Sequence, residues 1–168
     1  EGSIYLNQNK NQKAKKSLEK GLEIQPENIN ALFQYGNIFL MEKNYEKAIL
    51  KYDKILEIKG NFWQAINNKG LINFERNEIQ LAIDNFGKAI EIEKNAESML
   101  ALGVSLKNSN KQKSILLVRE ALLKNPNYVS FKFRQEQLWG EKLQKATEEL
   151  FKIEELKKDV NTANLYKN

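Results

Sequence analysis

Residues 33–56 read FQYGNIFLMEKNYEKAILKYDKIL. Apolar residues recur at three and four on either side of Lys43-Asn44, the pattern of two amphipathic helices joined by a short polar turn. Gly36 stands in the middle of the first helix, where glycine costs about 1 kcal/mol against alanine. Further along, INNKGLINFERNEIQLAIDNFGKAI, residues 66–90, puts Gly70 in the equivalent place. A cost accepted twice at a fixed interval points to a packing requirement.

The interval runs through most of the chain. Gly2, Gly36, Gly70 and Gly103 lie 34, 34 and 33 residues apart. Ala14, Ala48 and Ala82 follow the first three glycines at a constant distance, with Ser114 in the fourth copy. Leu18, Tyr52 and Phe86 come four residues after each alanine. Small residues recur after them as Gly21, Ala89 and Ala121, with Ile55 the exception, and Pro26, Gly60, Lys94 and Pro126 sit in the turns between units. Each unit reads as two helices, neither of which buries its apolar stripe alone, so the units must stack. The small residues then mark where paired helix axes approach. A larger side chain there would overpack the contact, at typically 1–3 kcal/mol.

A 34-residue unit with Gly, Ala, an aromatic, a second small residue and Pro at these spacings resembles the tetratricopeptide repeat. The resemblance covers residues 1–126. It divides them into a truncated repeat over 1–28, cut because Gly2 already falls inside its first helix, and repeats over 29–62, 63–95 and 96–126. It implies an all-α, right-handed superhelical solenoid of helical hairpins that binds proteins without catalysis. The RNA-reading pentatricopeptide repeats usually run to 35 residues and lack this small-residue pattern.

After Pro126 the period is lost. Residues 128–139 read as a short helix, and a longer one runs from about Glu141 to Lys158, within a C-terminal region over 127–158. Trp139, Leu143, Ala146, Leu150 and Ile153 form an apolar stripe at helical spacing, suited to capping the open end of the array. The alternative is an independent partner-binding helix. Residues 159–168 are polar and read as a flexible tail. The stretch KFRQEQLWGEKLQKATEEL, residues 132–150, resembles C-terminal extensions of cyanobacterial tetratricopeptide proteins, whose relatives include photosystem I assembly factors. That resemblance implies a role in assembling a larger complex.

In this family the first helices of successive repeats line a concave groove that holds a peptide or helix. The positions implied here are Asn30, Phe33, Gln34, Asn37, Leu40 and Met41, then Gln64, Asn67, Asn68, Leu71, Phe74 and Glu75, then Glu97, Leu100, Ala101, Val104, Lys107 and Asn108. The truncated repeat adds Ser3, Leu6 and Asn7. Leu40, Leu71 and Val104 are the members most suited to packing the helix pair. Asn37 and Asn68 match the asparagines of the clamp with which some relatives hold the acidic tail of heat-shock chaperones. Phe33, however, stands where a lysine is needed, and Glu97 and Ala101 replace other basic positions. Amides without cations hold a carboxylate weakly, because charge-assisted bonds are about twice as strong as neutral ones. The expected partner is therefore an amphipathic helix or extended segment on an apolar strip edged with amides.

Composition narrows the remaining classes. The chain has no histidine and no cysteine, which removes disulfides, thiolates, imidazole bases and the usual zinc ligands. No phosphate-binding glycine loop occurs, so neither an enzyme nor a cofactor or metal site is expected. Glu148-Glu149 and Glu154-Glu155 read as solvated glutamates paired at i,i+4 with lysines of their own helix. Trp63 opens a repeat and reads as packing between units. The net charge of +5, from 27 basic and 22 acidic residues, is spread without a dense basic face, against a nucleic-acid partner. No apolar run reaches the ~20 residues of a membrane span. The opening at Glu1 reads as a fragment of something longer, in a cytoplasmic or membrane-peripheral setting. Self-association, with a neighbouring chain completing the truncated repeat, is the competing structural role.

Overall fold

In the computed structural model, residues 2–168 are described, with side chains from Lys10 onward. Ten α-helices and two 3-10 turns make up these residues, and no strand occurs among them. The chain divides into two compact units, residues 1–65 and 66–168. The first holds α1 (Gly2–Ile24), α2 (Ile29–Met41) and α3 (Tyr45–Ile58). The division falls within α4 (Trp63–Glu75), after Ala65. The second unit continues with α5 (Ile79–Ile92), α6 (Ala96–Ser105) and α7 (Lys111–Lys124). It ends with a 3-10 turn (Pro126–Val129), α8 (Phe131–Glu136), α9 (Glu141–Phe151), a second 3-10 turn (Glu154–Leu156) and α10 (Lys157–Tyr166).

The hairpins form because their turns satisfy the helix ends. Lys43 and Asn77 take left-handed backbone, φ 57° and 62°. That lets Asn44 N donate to Phe39 O, and Glu78 N to Asn73 O, each at 2.9 Å, closing α2 and α4 with a Schellman pattern. Asparagine starts the next helices. The side chains of Asn28, Asn44, Asn95 and Asn110 accept from Ala31 N, Lys47 N, Ser98 N and Lys113 N, capping α2, α3, α6 and α7.

The repeated glycines make room for a ring. A Cβ on Gly36 would lie 2.6 Å from Tyr52 Cε1, and one on Gly70 would lie 2.6 Å from Phe86 Cε1. Both rings are fully buried, as are Ala48 and Ala82. The small residue in the first helix thus accommodates the aromatic, and the alanine of the second helix is buried in the same core. In the α6–α7 hairpin Val118 replaces the ring and the backbones draw closer. A Cβ on Gly103 would meet Ser114 O and Val118 Cγ2 at 3.0 Å, and Ser114 Oγ donates to Gly103 O at 2.6 Å.

Four expectations are corrected. The start of the chain is one continuous helix, α1, with no turn between two halves. Gln8, Lys10, Gln12, Lys13 and Ala14 are strong helix formers, and Leu18 supplies no ring for a folded-back partner, so helix propagation wins. Gly21, the small residue of that unit, has nothing within 4 Å of an added Cβ and so makes no close approach. The long C-terminal helix is broken: α9 ends at Phe151, and Ile153 is extended, at φ −68° and ψ 146°. Residues 157–166 of the expected flexible tail and its approach form α10, with Ala163 buried. Arg119 secures it, donating through Nε to Asp159 at 3.0 Å and through Nη2 to Glu155 O at 2.7 Å.

Candidate functional site

In the first unit, α2 carries the positions assigned to a partner. Asn30, Gln34 and Met41 are exposed, and they fall along one stripe of the helix. Between them Phe33 and Asn37 are half-buried. Phe33 sits edge-on to Phe62 at 5.4 Å and tilted to Tyr52 at 6.0 Å, so it is part of an aromatic cluster. Asn37 accepts from Tyr52 Oη at 2.7 Å. Leu40 is buried. Gln64, on the first turn of α4, is half-buried. The side chains of Ser3, Leu6 and Asn7 lie outside the described residues.

In the second unit the corresponding positions are covered. Asn67, Asn68, Leu71, Phe74, Leu100, Ala101 and Val104 are all buried, and only Asn108 is exposed. Asn67 accepts from Ser98 Oγ at 2.7 Å and donates to Asn68 Oδ1 at 3.4 Å, so both amides serve internal bonds. The remaining three, Glu75, Glu97 and Lys107, are half-buried, and each bonds to the chain's own C-terminal segment. These apolar positions therefore present no open strip in this unit.

That segment runs from Tyr128 to Phe151. Glu75 accepts from Leu143 N at 3.0 Å and Lys142 N at 3.2 Å, capping the N-terminus of α9, and Lys142 Nζ returns a bond to Glu75 O at 2.6 Å. Trp139 Nε1 donates to Glu97 Oε1 at 3.2 Å. At the other end of α9, Lys107 Nζ donates to Glu149 Oε2 at 3.1 Å. Gly140 passes so close to Glu75 that an added Cβ would collide with its carboxyl group. Leu138 precedes this contact at φ 66°, a left-handed conformation that costs a bulky residue about 1–2 kcal/mol.

Arg134, fully buried, organises the segment. Its Nε donates to Gln144 Oε1 at 2.8 Å, its Nη1 to Tyr128 O at 2.6 Å and its Nη2 to Glu148. The guanidinium also lies 5.3 Å from the Phe151 ring centroid and 6.0 Å from that of Trp139. Burial lowers the Arg134 pKa, opposed by the charge of Glu148. Loss of hydration pushes the Glu97 carboxyl up to about 7, against the hydrogen bonds from Trp139, Asn67 and Tyr128 that favour its charged form.

The acidic runs of α9 and beyond act at long range. Glu148 pairs with Arg134, Glu149 with Lys107, and Glu155 with Lys111 at 2.6 Å. Of the four, Glu154 pairs locally, with Lys157. The expectation of i,i+4 pairs fails because helix α9 ends between the two runs and because the turn after α6, helix α7 and helix α8 bring cations to three of these glutamates. The expected apolar stripe is buried at Trp139, Leu143, Ala146 and Leu150 and half-buried at Ile153. It is divided in its work. The α9 helix lies against α6, whereas α10 and the Pro126–Val129 turn pack on α7.

Sequence reasoning missed the mutual contact of Glu75, Glu97 and Lys107 with this segment. A signal for it exists in α6, AESMLALGVS, which has almost no polar face. A helix apolar all round must be covered all round.

The tetratricopeptide repeat family matches residues 17–50, and a second tetratricopeptide repeat description matches residues 1–28. Among solved structures, a crystal structure of MamA is similar at a TM-score of 0.65 and 20% identity, covering 98% of this chain and 97% of that one. MamA residues 41 to the end, from Desulfovibrio magneticus RS-1, are similar at 0.63 and 19% identity, covering 97% and 85%. No curated protein matches the sequence. Residues 1–50 are thus similar to tetratricopeptide repeats, and the chain has an all-α fold of helical hairpins similar to that of MamA.

Proposed function

We propose that the protein is a non-catalytic scaffold that holds another protein on the exposed stripe of α2. The observation that carries this reading is Met41, 55% exposed at the end of a helix whose Leu32, Tyr35, Phe39 and Leu40 are buried. An exposed thioether in line with the solvent-facing amides of Asn30 and Gln34 supplies an apolar anchor plus groups that bond a peptide backbone. An extended segment or the apolar face of a helix fits that chemistry. The setting is the assembly of a larger complex. The photosynthetic setting suggested by residues 132–150 has no support among the matching structures.

A photo-crosslinking residue at Gln34 should capture a partner in the native cell, whereas one at exposed Leu50 of α3 should not. Met41→Glu should reduce that capture at least about ten-fold with thermal unfolding unchanged, since burying an unpaired charge costs more than the anchor gains. Equal capture from Gln34 and Leu50 would remove this reading.

A further inference from the structure

Helix α10 leaves an open cleft where it packs on α7. Arg119 meets Asp159 at one end of the contact, at 3.0 Å, and Asn168 N donates to Asn127 Oδ1 at the other, at 2.7 Å. The two helices therefore run in the same direction. Between these ties α10 offers the short side chains of Thr162 and Ala163, and a cleft of about 370 Å³ remains. Leu122 and Ala163, each 3% exposed, line it together with Leu123, Pro126 and Tyr166. Leu123 and Tyr166 stand at 76% and 71% exposure, large apolar groups left in water beside it. A cleft of that size, apolar with a few polar groups, suits a small molecule.

Charge gathers at one end. Arg119 spends Nε on Asp159 and Nη2 on Glu155 O, while its Nη1 and the Lys158 ammonium have no partner among the described residues. Asp159 offsets one of these two cations and the Glu155 carboxylate is taken by Lys111, so a single positive charge is left. From Asp159 to Tyr166 the cleft is about 10 Å long, at 1.5 Å per helical residue. Through most of that length both walls are helix, with backbone groups spent on their own hydrogen bonds. A peptide laid there would lose the hydration of its amides with only the hydroxyls of Thr162 and Tyr166 in exchange. The chemistry asks for one negative charge on an otherwise apolar body.

We infer that the cleft between α7 and α10 binds a medium-chain carboxylate, its head on Arg119 and Lys158 and its chain along Leu122, Leu123 and Ala163 toward Tyr166. An extended chain gains about 1.2 Å per bond, so about eight methylenes span the cleft. The site involves neither α2 nor its exposed stripe, so this inference and the protein-binding reading fail separately.

The probe is sodium decanoate, titrated calorimetrically into the full chain below its micelle concentration. It should bind once per chain, and decanol should bind at least about ten-fold more weakly for want of the charge-assisted bonds. Lys158→Glu, at an exposed position, should weaken decanoate about ten-fold and leave decanol unchanged. Thr162→Phe, also at an exposed position, should fill the cleft and remove both. Acetyl-Leu-Leu with a free carboxylate should bind more weakly than decanoate. No decanoate binding, equal affinity for decanoate and decanol, tighter binding of the dipeptide, or decanoate binding unchanged in a folded Thr162→Phe chain would each overturn the inference. The comparison of decanoate with decanol needs no variant, so it decides even where a variant fails to fold.

Discussion

Helices α2 and α6 occupy the same position in their repeats and end up in different environments. Along α2, Asn30, Gln34 and Met41 are exposed and five residues are buried. Along α6, Ala96 and every residue from Ser98 to Ser105 are buried. The repeat pattern is common to both, so the difference comes from the C-terminal segment beyond Pro126. In its own unit α6 is covered by α9, and Glu75, Glu97 and Lys107 are bonded to the segment that runs from Trp139 through α9. An array position is therefore an available surface only where the rest of the chain leaves it so.

The comparison is broken most directly at Arg134. Arg134→Leu removes the hub while leaving Gln144 and Tyr128 O buried without their partner, and should cost about 3–5 kcal/mol. Hydrogen exchange should accelerate through α6 and α9 and stay unchanged in α2; uniform acceleration would mean that Arg134 supports the whole chain rather than one face.

A second test uses acid. Glu97 is raised from the ordinary carboxylate range to about 7, so the folded state takes up its proton before the unfolded chain does. Its stabilising contribution is complete below about pH 4.5 and is lost as pH rises through 7. Protection of α6 should fall by up to about 3 kcal/mol between pH 5 and 8, at 1.36 kcal/mol per unit. Glu97→Gln should flatten that profile. A wild-type profile already flat would show that the bonds from Trp139, Tyr128 and Asn67 outweigh the loss of hydration.

The glycines should make the two units agree again. Gly36→Ala and Gly70→Ala face rings at the same 2.6 Å and should each cost about 1–3 kcal/mol in chemical denaturation. A large gap between them would mean that one ring yields and the other does not. The smallest effect belongs to the caps. Asn95→Ala and Asn28→Ala should each cost about 1 kcal/mol. Asn95 should cost the more, because its bond to Ser98 N is 2.7 Å and partly buried, whereas that of Asn28 to Ala31 N is 3.0 Å and exposed. Thermal melts of the two variants decide the order.

Much of the fold was legible in the order of residues. Glycine, alanine and aromatic at constant spacing encode a contact between two neighbouring helices, and that contact is local enough to read from one repeat. The caps were legible in principle too, since Asn28, Asn44, Asn95 and Asn110 each precede a periodic stretch. The site was less legible. Asn67 and Asn68 look like groove residues until Ser98 is placed against Asn67 and Asn67 against Asn68, and Glu148, Glu149 and Glu155 look local until their cations arrive from other elements.

By itself the sequence determined the hairpins, their register and the reason for Gly36 and Gly70, because those depend on residues within about one repeat of each other. Only the tertiary structure decided which helix faces remain open. That outcome depends on bonds such as Glu75 to Leu143 and Lys107 to Glu149, whose partners lie 68 and 42 residues apart and share no period.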